Sequence, residues 1–160
     1  MRSFEYIKPT TVAEATRFLH DHADGSFVVG GGSAAVVMLQ LGIVRPQYVV
    51  DIGSLSGLQD LSPNGDLHIG ALVRIRSLEL EVGVRNEWGL LAEACSQVAN
   101  VRVRNVATVG GAVAYGEPQT DTPTALMAMS ASVEIVGASG SRVVPIEEFY
   151  LAPYETVLGQ

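Results

Sequence analysis

The run Phe4–Ile7 reads as a short strand and ends at Pro9. Thr11 then opens a helix, and Glu14, three residues on, completes a capping-box pattern. Val12, Ala15, Phe18 and Leu19 recur at helical spacing and give that helix one apolar face. Phe27–Val29 predicts a short buried strand. Gly30–Gly32 follow at once, and Ser33 starts a second, apolar helix to about Leu41. Tyr48–Ile52 is a third strand. Residues 4–52 thus read β-α-β-α-β, the pattern of a small parallel sheet.

Beyond residue 52 the pattern changes. Leu55–Leu61 and Leu67–Ile69 predict strands around a Pro63–Asp66 turn. Arg76–Val82 and Trp88–Val98 predict helices. Val106–Ala114 reads as an extended stretch broken by Gly110-Gly111, with Arg102 and Arg104 alternating along a strand before it. Asp121–Met129 predicts a helix with Pro123 in its first turn. Val133–Val136 and Arg142–Pro145 flank Gly137–Ser141 as a hairpin. The fold class is therefore α/β followed by α+β. The boundary is expected near Gly53–Gly57, giving lobes of 1–55 and 56–160.

The 160 residues suit one domain or two small lobes, with 48% hydrophobic residues to form a core. The net charge of −7 has no offsetting basic cluster, so nucleic acid and anionic membrane are poor partners. The longest apolar stretch, Ala34–Val44, is too short to span a membrane. With no signal-peptide pattern at the start, a cytoplasmic location is expected. Cys95 is the only cysteine, so an iron–sulfur cluster would need ligands from another chain or domain.

Two stretches could carry chemistry. VVGGGSAA (28–35) is strand, glycine run, helix. Glycines let backbone N–H groups face an anion, and a following helix adds the positive end of its dipole. Ser33 either caps the helix or donates to a phosphate. The spacing is neither the Rossmann nor the P-loop pattern: Ala35 stands where G-x-G-x-x-G needs glycine, and no Lys is near. RNVATVGGAVAYGEPQTD (104–121) again offers a hydroxyl, Thr108, beside a glycine pair. Asp121 either accepts from a ribose-type hydroxyl or caps its helix. His20, His22 and His68 lack partners at metal spacing, and Cys95 reads as core. Trp88 and Tyr115 could stack on a ring, though packing explains them equally.

VVGGGS, YVVDIGSLSGL (48–58), LHIGALVRIRSLE (67–79), VRNVATVGGAVA (103–114) and EEFYLAPYETVL (147–158), in that order, resemble the FAD-binding (medium) subunit of molybdenum hydroxylases. That family includes the medium subunit of carbon monoxide dehydrogenase and the flavin domain of xanthine dehydrogenase. The resemblance implies a two-lobed FAD-binding fold of the molybdopterin dehydrogenase / vanillyl-alcohol-oxidase type, with a further C-terminal domain not included in these residues. It implies FAD as cofactor, with Val29, Gly30, Gly31, Gly32, Ser33 and Ala34 around the pyrophosphate. Thr108, Val109, Gly110, Gly111, Ala112 and Asp121 stand at the second set of family positions. It implies an electron-transfer role without acid–base residues of its own. The partners would be an iron–sulfur subunit and a molybdopterin subunit. Two positions depart from the family pattern. Ala112 stands where Asn is usual, removing a hydrogen bond worth about 1.5–3 kcal/mol to a charged group. Gly32 stands where Thr or His is usual. Ala112, together with the family's C-terminal domain lying outside these residues, motivates the alternative of a non-catalytic scaffold that keeps the fold without flavin.

Overall fold

The computed structural model describes residues 3–63 and 65–159. Three strands, β1 (Glu5–Ile7), β2 (Ser26–Val29) and β3 (Tyr48–Asp51), form a parallel sheet in the order β1-β3-β2. Ile7 and Val28 both register on Val50, which is fully buried. The crossovers are α1 (Val12–Asp21) and α2 (Ala35–Leu41), as parallel pairing requires. This is the order expected of residues 4–52. The start of α1 follows the capping pattern: Thr11 Oγ1 accepts from the Glu14 N–H at 3.1 Å. The Glu14 carboxylate reaches back to the N–H and hydroxyl of Thr10. The start of α2 differs from expectation. Ala34 occupies the cap position in helical geometry, while Ser33 is exposed and caps nothing.

The ends of β1 and β3 are tied together. The Tyr6 hydroxyl donates to one oxygen of Asp51, and the Gly53 N–H donates to the other at 2.8 Å. The chain then turns rather than extending. Of the expected strand Leu55–Leu61, only its end is one: β4 (Leu61–Ser62) pairs antiparallel with β5 (His68–Ile69). Leu55 is instead drawn inward, into a small cluster with Ala15 and Leu72. The turn between β4 and β5 includes position 64, outside the described residues.

Helices follow. The expected helix at Arg76–Val82 is two, α3 (Ile75–Leu80) and α4 (Val82–Glu87), because Glu81 between them is extended. After α5 (Gly89–Gln97) come α6 (Val101–Arg104) and α7 (Val109–Tyr115). The extended reading of 106–114 holds only at Thr108, which bridges to Arg74, while 109–114 are helix, and the strand reading of Arg102 and Arg104 is corrected to helix. A glycine pair ordinarily weakens a helix. Here Thr108 caps α7, and Val109 and Val113, four residues apart, are both buried in the main core. The remaining elements are α8 (Asp121–Ala128), the hairpin β6 (Ser132–Gly137) and β7 (Gly140–Pro145), α9 (Ile146–Phe149), β8 (Tyr150–Ala152) and β9 (Glu155–Thr156). The hairpin matches expectation, with Ser132 opposite Pro145.

The main core brings Ile75, Leu78, Val84, Leu91, Cys95, Ile146 and Phe149 together. Burial pushes the Cys95 thiol up to about 11, so it is inert, as read from the sequence. The smaller cluster joins α1 to Leu72 of the later half.

Glu79 ties α3 to α6. It accepts from Arg76 in its own helix and from Arg104 Nε at 2.8 Å. The Arg76 hydrogen bond first, then Arg104, hold its carboxyl below the ordinary 4.5, against the cost of its desolvation. A lowered folded-state value means that the contribution is complete above the unfolded value and is lost as pH falls through the lowered one. Glu79→Gln should cost roughly 1–3 kcal/mol at neutral pH. In urea melts the gap from wild type should narrow as pH falls below the ordinary carboxylate range. A gap unchanged by acid would show that the ion pairs are not its source.

Candidate functional site

The first glycine turn leaves the sheet at the end of β2. Val29 is the last strand residue, and Gly30 and Gly31 pass under the later half of the chain. A Cβ on Gly31 would lie 1.8 Å from the Val106 carbonyl oxygen, so only glycine permits this approach. Gly32 takes a left-handed φ of 77° and turns the chain into α2. Among the described residues, the N–H groups of Gly31, Gly32, Ser33 and Ala34 donate to no protein acceptor. The first helical bond runs from the Val36 N–H to the Gly32 carbonyl at 3.1 Å. Helix α2 has only seven residues and no capping side chain. The loop amides, not a helix dipole, are thus the donors this turn leaves free for an anion.

The second glycine motif is built differently. Thr108 is buried, and its Oγ1 accepts from the Gly111 N–H at 3.2 Å. The Val109 N–H donates to the Val73 carbonyl and the Gly110 N–H to the Ala71 carbonyl, both at 2.9 Å. The Ala112 N–H donates to the Thr108 carbonyl at 2.9 Å. The bare donors expected of this motif are therefore already engaged within the protein. Glycine is required at Gly110 because a Cβ there would meet Ala71 Cβ at 2.6 Å. The pair is a close-packing device that docks α7 on residues 71–73.

The two motifs do meet. The Thr108 hydroxyl lies 3.4 Å from where a Gly30 Cβ would stand. Between them opens a cleft of about 280 Å³, lined by Gly30, Gly31, Gly53, Leu72, Arg74 and Thr108 among others. Its volume lies at the lower edge of the roughly 300–1,000 Å³ typical of small-molecule sites. It therefore seats part of a large ligand rather than enclosing one. Asp121 is not in this lining. It is the exposed first residue of α8, one position inside the Thr120 cap site, and caps nothing. Gly53 and Arg74 are cleft residues to which sequence reasoning assigned no role. Both fall in segments that carried the family resemblance, YVVDIGSLSGL and LHIGALVRIRSLE, but neither has a motif of its own.

Other candidates are structural. His22 stacks on Phe18 at 4.3 Å, and its Nδ1 lies 3.0 Å from the Phe18 carbonyl oxygen. Trp88 packs on the main core, and Tyr115 meets Tyr154 edge-on at 5.3 Å. Among the described residues there is no metal-binding cluster of His, Cys, Asp or Glu, and no helix is long and apolar enough to cross a membrane.

A glycine turn with unspent amides, bordering a cleft that residues 53–108 complete, is the arrangement of a nucleotide-cofactor-binding module. The chain belongs to the family described as FAD binding domain in molybdopterin dehydrogenase, whose model matches residues 2–160. FAD is the cofactor of that family. The chain is 33% identical to the glyceraldehyde dehydrogenase medium chain of Sulfolobus acidocaldarius, over 96% of this chain and 54% of that protein. It is also 33% identical to the carbon monoxide dehydrogenase medium chain of Hydrogenophaga pseudoflava, over 97% and 54%. A solved structure of carbon monoxide dehydrogenase from Hydrogenophaga pseudoflava superposes with a TM-score of 0.94 at 32% identity, covering 98% of this chain and 55% of that one. The chain spans about half the length of the curated relatives it matches.

Gly31→Ala should destabilise the chain by roughly 1–3 kcal/mol or more, because its Cβ has no room to relax against backbone. Gly89→Ala, in a helix with nothing within 4 Å of the new methyl, should be neutral or stabilising. Urea denaturation of the two variants checks this. Equal stability for both would mean that the contact at Val106 is not tight in solution.

Proposed function

We propose that this chain is the FAD-binding part of an electron-transfer unit in a molybdenum hydroxylase-type oxidoreductase. The observation that carries the reading is the run of four amides, Gly31 to Ala34, that have no protein acceptor beside the inter-lobe cleft. A run of orphaned donors suits an oxyanion, and the pyrophosphate of FAD presents several. Glycine at Gly30 keeps this face clear: a Cβ there would reach within 3.2 Å of Leu72 Cδ2.

In this reading Val29, Gly30, Gly31, Gly32, Ser33 and Ala34 wrap the pyrophosphate. Residues 1–55 and 56–160 are the lobes that flank it. Thr108, with Val109, Gly110, Gly111 and Ala112 behind it, supports the opposite wall, and its engaged amides make that role one of shape. Asp121, outside the cleft, contacts the cofactor only where FAD extends along α8. When bound, FAD supplies the redox chemistry, and this chain's residues supply binding and orientation. Electrons would arrive from an iron–sulfur partner served by a molybdopterin partner, and pass to an acceptor. Relatives named as a medium chain and as an FAD-binding subunit support such an assembly.

Purified chain should be yellow or should bind added FAD, with quenched flavin fluorescence and a one-to-one calorimetric isotherm. Gly32→Val, which crowds the amides at a left-handed φ of 77°, should abolish or severely weaken binding. A colourless chain that gives no heat with FAD at high micromolar concentration would overturn the reading for this chain.

A further inference from the structure

The cleft has one feature that the glycine loops do not explain. The chain carries seventeen acidic residues against ten basic ones, yet the cleft lining among the described residues holds a cation, Arg74, and no acidic side chain. Arg76 and Arg104 share the single carboxylate of Glu79. Among the described residues Arg74 forms no ion pair. Its Nη1 donates instead to the Asn105 carbonyl. A carbonyl positions a guanidinium without cancelling its charge, and leaves four of its five N–H groups for another acceptor.

The backbone fixes where that charge sits. Arg74 pairs with Thr108 in an isolated antiparallel bridge, next to the hydrogen bond from the Ile75 N–H to the Ala107 carbonyl at 3.0 Å. Thr108 in turn faces Gly30. Arg74 and the first glycine turn thus line the same small cleft. An exposed arginine with no carboxylate partner, on a cleft that Gly31 with its free amide also lines, suits a bidentate contact with an oxyanion.

Resting on the FAD reading above, we propose that Arg74 is an anion-binding residue of this site, which donates to the FAD diphosphate opposite the Gly31–Ala34 amides. Arginine here sets the preference for a diphosphate-bearing cofactor over an uncharged one, and compensates locally for the acidity of the chain.

Calorimetry on the whole chain tests this, with FAD and ADP titrated into wild type, Arg74→Gln and Arg74→Lys at low and high salt. Arg74→Gln should weaken FAD and ADP alike, by roughly 10- to 100-fold. It should also flatten the salt dependence of FAD binding, because a screened charge pair has gone. Arg74→Lys should recover part of the affinity and the salt dependence. Wild-type affinity in Arg74→Gln would overturn the assignment, as would a loss of affinity with the salt dependence unchanged, which marks a purely structural role. A wild-type chain that does not bind FAD would overturn the functional reading itself and this assignment with it. Wild-type binding with an indifferent Arg74→Gln would overturn the assignment alone.

Discussion

The structure depends on a backbone-on-backbone contact. The first glycine turn lies against the Val106 carbonyl, and residues 71–75 run beside 107–110, joined by hydrogen bonds of 2.9–3.0 Å from Ile75, Val109 and Gly110. No side chain mediates the approach, and none could: a single methyl at Gly31 or Gly110 would overlap the facing chain. Both lobes are positioned by this junction, and so is the cleft between them. Leu72, buried against Ala15 and Leu55, adds the apolar part of the same seam.

Division of labour between the two glycine motifs follows from that junction. Val109 and Gly110 spend their amides on Val73 and Ala71, and Gly111 spends its own on the Thr108 cap, because a buried N–H without a partner is costly. Residues 31–34 lie at the edge of the sheet, where no protein acceptor reaches them. Two motifs that look alike therefore differ in chemistry: one has its amides engaged within the protein, the other leaves them free. Arg74 belongs with the second, as the cation that the bracing strand carries into the cleft.

Elsewhere the later lobe is held by ordinary means. Leu78, Leu91, Ile146 and Phe149 are removed from solvent, and the Arg76–Glu79–Arg104 cluster locks the short helices at their exposed side. Short helices such as α3 and α6 have little intrinsic stability, so packing and ion pairs must supply it. This places the acid-sensitive element in the support for α3, the helix that follows Arg74.

Local patterns in the chain already specified the parallel β-α-β-α-β lobe, the Thr11 cap, the 132–145 hairpin and the inert Cys95, since each rests on neighbours within a few residues. The order of segments identified the family and its cofactor. Helix α7 was not legible, because Thr108 and the burial of Val109 and Val113 outweigh a glycine pair that locally argues against helix. Nor was the break at Glu81, or the loss of strand at 55–60, where Leu55 is claimed by a core from another part of the chain. Which glycine amides are free and which are engaged in packing, and that Arg74 lines the cleft at all, were decided by tertiary structure. An amide's freedom and a cation's neighbours depend on what the fold brings against them, and here that partner lies more than thirty residues away along the chain.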